Sequence, residues 1–280
     1  MTLEIKESDS LTTPHSVFLA VFMYGELSDG RINSFSELEH FVLEYPAITK
    51  LLNILHYEFG HPTYLLEALV HTSFANEFAY LEVTHNEQIE FLGDSVLNLL
   101  FTGHLIQTFE DFSEGDLSKF RGSLINEDSF YELAKLLKLG ECVLLGKGEI
   151  VTKGMARKSL LADVFEALFG AIYKDGGHAA AHASFIHLLA YYKEQIGQDF
   201  IHIQRFAAFD AKTKLQEKTM ELFKELPEYS SCEHQTKGFH VTVSVNNIVL
   251  AETFNRSKKL GEKELAKIVL SRIQSGEQIC

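Results

Sequence analysis

A change of hydrophobic period near residue 195 constrains the folding of this chain more than any other feature of its sequence. Upstream, apolar residues recur at the spacing of amphipathic helices in six stretches: 48–59, 64–73, 86–109, 117–138, 158–174 and 178–192. Ser113 ahead of Glu114-Gly115-Asp116 reads as a helix start, and Gly140 and Gly176-Gly177 stand where helices should stop. Downstream, 240–245 alternates strictly, with Val241, Val243 and Val245 on one face, and Asn246-Asn247 suits a two-residue turn into 248–254. Residues 229–233 supply a first strand, while 211–226 and 258–273 keep the helical period. One layer cannot satisfy both periods, so the sequence predicts two domains and an α+β chain overall. An all-α domain covers 48–192, a linker 193–209, and an α-β-β-β-α module 210–275. Residues 1–47 form an N-terminal extension of unknown role, with an apolar patch at 17–24, a turn at Ser28-Asp29-Gly30 and a helix over 35–45.

Charge divides along the same line. Of the formal −14, residues 1–209 carry 14 basic against 29 acidic side chains, whereas 210–276 carry 11 against 9. An acidic first part and a mildly basic last part suit two different tasks. Three cysteines, Cys142, Cys232 and Cys280, lack metal-ligand spacing and cannot all pair, which favours packing roles in a reducing, cytoplasmic setting. No uninterrupted apolar run reaches about 18 residues, and the polar start MTLEIKESDS lacks the pattern of a secretory signal; no membrane partner is expected.

Acids inside two very apolar helices carry the chemical information. In His85–Leu97, Glu87, Glu90 and Asp94 fall within about 60° of one another at 100° per residue. Ile89, Leu92, Val96, Leu99 and Leu100 take the opposite side. In Leu160–Gly170, Asp163 and Glu166 share a face. Acids so spaced are common on solvated helices. Here both helices are apolar around most of their circumference, and the central acids have no Lys or Arg three or four residues away. Buried carboxylates must be paired or bind metal. An all-oxygen set suits Mg²⁺ before zinc.

At these residues the sequence resembles the ribonuclease III family. NEQIEFLGDSVL matches its signature, and LLADVFEALFGAIYKDGG its second carboxylate helix. His71–Glu77, Glu114–Lys119 and Gly146–Glu149 fall in the family's order, so the likeness spans about 48–275. It implies a metal-dependent endonuclease that leaves 5′-phosphates on double-stranded RNA, with processing of ribosomal and other structured precursors as its task. Glu90, Asp94, Asp163 and Glu166 would hold Mg²⁺, or Mn²⁺ as a substitute, with Asp94 and Glu166 catalytic and Glu87 and Glu149 supporting. Neither a nucleotide nor an organic cofactor is implied. Gln88 departs from the basic residue usual there, off the acidic face. The resemblance also implies a homodimer in which Phe91 inserts into the partner; plain core packing is the other reading of Phe91. A non-catalytic relative would have lost metal acids, and all four are present.

Gly146-Lys147-Gly148 is no phosphate loop, since no strand precedes it and no Gly-Lys-Ser/Thr follows. Lys153, Arg157 and Lys158 are better candidates for phosphate contacts. His178, His182 and His187 read as surface or packing residues. Residues 210–275 resemble a double-stranded RNA-binding domain through Lys212–Glu217 and Ser257-Lys258-Lys259. By that likeness Gln216 and Glu217 reach 2′-hydroxyls and Lys258 and Lys259 reach phosphates at a helix N-terminus. The loop 233–238 lacks the usual Gly-Pro, leaving His234 as the groove residue, and Gly261 replaces a usual Ala at some cost in helix propensity.

Overall fold

A computed structural model describes residues 18–234 and 238–275. Helices come first: α1 (Leu19–Ser28), α2 (Phe35–Glu44), α3 (Pro46–Leu55), α4 (Pro62–Leu69), α5 (Thr72–Glu77), α6 (Glu87–Thr108), α7 (Glu114–Leu124), α8 (Glu127–Leu136), α9 (Lys147–Val151), α10 (Lys158–Ile196) and α11 (Ile203–Phe223). Strands β1 (Glu228–His234), β2 (Gly238–Val245) and β3 (Ile248–Asn255) and helix α12 (Lys258–Gln274) follow. The chain forms two compact units, one running through Glu110 and including Leu124–Phe200, the other Asp111–Ser123 with the chain from Ile201 onward.

In the first unit α10 is the central helix. Val164, Phe165, Ala167, Leu168, Phe169, Ala171 and Ile172 have no exposed surface, because α3, α4, α6 and α8 surround it. The expected stop is found at Gly177, whose φ 71° and ψ −168° are non-helical, so α10 is two helices joined at a kink. Asp175 fixes this kink to the loop after α3, accepting from the Tyr57 hydroxyl at 2.6 Å and the Gly60 and His61 amides at 2.9 and 2.8 Å. Burial pushes the Asp175 carboxyl up, but these donors outweigh it and hold the group below the usual carboxylate range.

Two predicted helices are each divided. The run 117–138 breaks because the Asn126 side chain accepts from the Ser129 amide at 3.0 Å and starts α8. The run 64–73 breaks where Val70 pairs with Leu144 and the His71 ring caps the Ser73 amide. The extension contains ordered helices, with Leu19, Met23, Leu38 and Val42 of α1 and α2 buried. The segment read as linker holds the end of α10 and the first turns of α11. One helix among the described residues, α6, matches a membrane span in length and hydropathy, which differs from the apolar-run expectation. It is nonetheless a core helix: Ile89, Val96, Leu97, Leu100, Phe101 and Leu105 are buried in the unit.

In the second unit the strands form an antiparallel sheet in the order β1-β2-β3. Asn246 and Asn247 both take positive φ, 51° and 64°, as a tight hairpin requires. Val241, Val243 and Val245 face the core with Leu215, Leu265, Ala266 and Val269 of α11 and α12. Full burial is worth about 1.5 kcal/mol or more for each valine. Gly261 has a packing reason that propensity alone misses: a Cβ there would lie 2.6 Å from Val241 Cγ2. The segment Asp111–Ser123 joins this unit through Phe112 and Phe120, whose rings pack on Phe206 of α11.

Candidate active site

The acids meet because α6 and α10 touch backbone to backbone. A Cβ on Gly93 would sit 1.8 Å from the Glu166 carbonyl oxygen, and one on Gly170 would sit 2.1 Å from that of Ile89. Only glycine permits that approach. Glu90 precedes Gly93 by one turn, and Asp163 and Glu166 precede Gly170 by two turns and one. The crossing therefore brings side-chain oxygens of Glu90, Asp163 and Glu166 within 4.8 Å of one another.

This placement is electrostatically costly without a cation. Burial, then the charges of Asp94, Glu90 and Asp163, push the Glu166 carboxyl up to about 8. Burial, then Asp163, Glu87 and Asp94, push Glu90 up to about 7. Asp163 is raised by burial and by Glu127, against the opposing charge of Arg157. Three half-buried carboxylates held together against repulsion fit a hard divalent cation with oxygen ligands.

The other expected acids lie around this triad. Asp94 is exposed, outside the group of three, and accepts from Asn98 Nδ2 at 2.9 Å, yet its charge acts on both Glu90 and Glu166. Glu87 is exposed, with His85 Nδ1 3.9 Å from its carboxylate, and adds to the repulsion on Glu90. Glu149 pairs with Arg157 at 2.8 Å. Arg157, six residues before Asp163, is the positive charge that sequence spacing did not reveal. Lys158 is held by Asp128 at 2.6 Å and Glu127 at 3.2 Å, so two of the three basic candidates are engaged by acids and Lys153 stays exposed. Upstream, the Ser73 hydroxyl and Glu77 accept from the Gly146 and Lys147 amides at 3.0 and 2.7 Å, which fixes the start of α9.

One expectation about α6 needs correction. Leu99, placed with the buried side by helical phase, is 54% exposed, and the buried arc is narrower than drawn. Phe91 is 79% and Ile106 55% exposed, so these three form an apolar stripe along α6, and the core reading of Phe91 is excluded.

In the second unit, Gln216 and Glu217 are exposed on α11, with Glu217 3.4 Å from Lys119 Nζ. Ser257 caps α12 by accepting from the Leu260 amide, and Lys258 and Lys259 are exposed in its first turn. Lys258 Nζ lies over the Phe239 ring at 5.3 Å. His234 ends β1, its ring edge-on to Phe254 at 5.2 Å. The rest of the expected groove loop, residues 235–237, lies outside the described residues.

A helical domain with a carboxylate triad suited to a divalent cation, followed by an α-β-β-β-α module, is the two-part architecture expected from the sequence. Family models agree: residues 61–192 match one described as ribonuclease-III-like and residues 211–273 one described as a double-stranded RNA binding motif. Ribonuclease 3 of Oleidesulfovibrio alaskensis is 39% identical over 230 residues, 80% of this chain and 97% of its own length. That of Chlamydia trachomatis is 38% identical over 221 residues, 78% and 92% of the two chains. The ribonuclease III nuclease domain from Campylobacter jejuni, a solved structure, is 36% identical and covers 54% of this chain and 99% of its own, with a TM-score of 0.48. The chain belongs to the ribonuclease III family and is an endoribonuclease with a double-stranded RNA-binding domain.

Proposed function

We propose that this endoribonuclease uses Mg²⁺, with Mn²⁺ able to substitute, to cut duplex RNA as a homodimer in the cytoplasm, leaving 5′-phosphates during processing of ribosomal and other structured precursors. The observation that carries the reading is the Glu90–Asp163–Glu166 triad, three acids whose mutual repulsion a divalent cation would relieve. Bound there, such an ion supplies Lewis acidity toward the phosphodiester and makes water a nucleophile near neutral pH. The chain's own part is to fix the acids in place. Glu90, Asp163 and Glu166 would hold the ion, and exposed Asp94, whose charge acts on Glu90 and Glu166, would complete the acidic set. Glu87 adds negative charge, and Glu149 keeps Arg157 turned toward Asp163. Incubating the purified chain with a long RNA duplex, with Mg²⁺ and with excess chelator, tests the reading. Cleavage to 5′-phosphate ends only with the ion is expected, and equal cleavage in chelator rejects it.

The exposed Phe91–Leu99–Ile106 stripe supports the dimer, since this apolar surface would be covered by the same stripe on a second copy. Phe91→Asp places a charge in that contact, so sedimentation should show a shift from dimer to monomer with helical content unchanged. A mutant that stays dimeric removes Phe91 from the interface.

For the RNA, Lys258 and Lys259 would meet phosphates at the α12 N-terminus, Gln216 and Glu217 the minor groove, and His234 the next groove. Changing both lysines to Ala should reduce the slope of log affinity against log salt by roughly 1–2 in filter-binding titrations. An unchanged slope would leave Lys153 as the next candidate.

A further inference from the structure

The sheet of the C-terminal unit carries a second chemically active cluster, which shares no residue with the carboxylate site. Because Val241, Val243 and Val245 point to the core, His240 and Thr242 point to the open face. Strand register then sets Cys232 of edge strand β1 opposite His240, and His240 opposite Phe254 of β3. Cys232 Sγ lies 3.9 Å from His240 Nδ1, and His240 Nε2 lies 3.1 Å from Glu252 Oε2. Phe254 stacks on the imidazole with centroids 4.6 Å apart and planes 23° from parallel. His234, the other titratable group on this face near the ring, meets Phe254 edge-on.

The order of these groups is nucleophile, base, orienting acid. In the tautomer whose Nε2–H donates to Glu252, the Nδ1 lone pair faces the thiol. Cys232 is exposed, unlike Cys142, which is buried, whose thiol burial and then Glu141 push up to about 12. We infer that Cys232 is a reactive thiol that exchanges with low-molecular-weight disulfides. His240 Nδ1 takes the thiol proton, and the Cys232 sulfur attacks one sulfur of the disulfide. A new S–S bond forms as the old one breaks, and the departing thiolate takes the proton back from the imidazolium. The incoming disulfide is the oxidant, and excess small thiol reverses the step.

The test uses the full chain carrying Cys280→Ser, treated with neutral dithiodipyridine in chelator, with thione release followed by absorbance and the adduct located by mass spectrometry. Cys232 should react several-fold faster than free N-acetylcysteine at neutral pH. His240→Phe, which keeps a ring on Phe254, should slow it about tenfold and move the rate profile to alkaline pH. Glu252→Gln should fall between the two. A His240→Phe protein that reacts as fast as its parent overturns the assignment. So does protection of the parent by one equivalent of Zn²⁺, added in a parallel arm without chelator, that His240→Phe abolishes, which would make the pair a metal site. Should His240→Phe lose its circular dichroism signal, Glu252→Gln and the parent's own rate profile decide, and a parent no faster than the free thiol rejects the proposal.

Discussion

Glu166→Gln should abolish duplex cleavage, by at least about a thousandfold in single-turnover rate, while duplex binding in Ca²⁺ stays near the parental value. Glu166 is the acid most strongly displaced by burial and by its neighbours Asp94, Glu90 and Asp163. A second, opposite effect distinguishes a ligand from a merely structural acid. A carboxyl raised from 4.5 to about 8 binds its proton more tightly in the folded chain than in the unfolded one. Folding therefore takes up a proton between those values, and metal-free stability falls as pH rises through that window. The Gln variant has no such proton to lose. At pH 7.5 and without metal it should melt higher than the parent, and it should lose the rise in Tm that Mg²⁺ gives the parent. Thermal melts with and without Mg²⁺ at pH 5 and 7.5 check this. A variant that still cleaves, or still gains stability from Mg²⁺, removes Glu166 from the site.

Helical phase alone put the acids on common faces, because periodicity is local and each turn repeats the same geometry. That Asp163 and Glu166 of one helix meet Glu90 of another was legible only through the family likeness, since a crossing point leaves no periodic trace. Its sole local sign was a pair of glycines, Gly93 and Gly170, inside strong helices. Asp94, next to Gly93 and one turn from Glu90, lies on the acidic face outside the group of three, yet its charge acts on both Glu90 and Glu166. Arg157 was missed for a related reason. It precedes α10 in extended conformation, at φ −71° and ψ 129°, so helix spacing says nothing of its reach to Glu149 and Asp163. Gly177, by contrast, was legible as a helix end, and Asp175 anchors the kink there while Phe185 and Leu188 of the helix beyond it are fully buried. Contacts across strands, such as Cys232 with His240, depend on register, which alternation predicts only once the turn is known.

Gly93→Ala should damage both the fold and the chemistry, although Ala is the better helix former by about 1 kcal/mol. The added carbon would lie 1.8 Å from the Glu166 carbonyl oxygen and close to its carbonyl carbon, at 2.4 Å. Those are backbone atoms of a fully packed helix and cannot rotate away, so α6 and α10 must separate. Overpacking of this kind costs about 1–3 kcal/mol or more, which outweighs the gain in propensity. For a unit of this size that corresponds to a fall in Tm of roughly 5–10 °C. The chemical loss should be larger in proportion. Moving Glu90 about 1 Å from Asp163 and Glu166 opens the ligand set, and misplacement on that scale costs about a hundredfold in rate. Gly25→Ala provides the control, because it sits within α1 and its Cβ would meet nothing within 4 Å. It should gain the propensity term and cleave normally. Melting curves and single-turnover cleavage across a Mg²⁺ titration separate the two effects: a separated crossing raises the Mg²⁺ concentration needed even at temperatures where the variant is fully folded. A Gly93→Ala protein with parental Tm and parental Mg²⁺ dependence would show that the contact of α6 with α10 does not set the spacing of the acids.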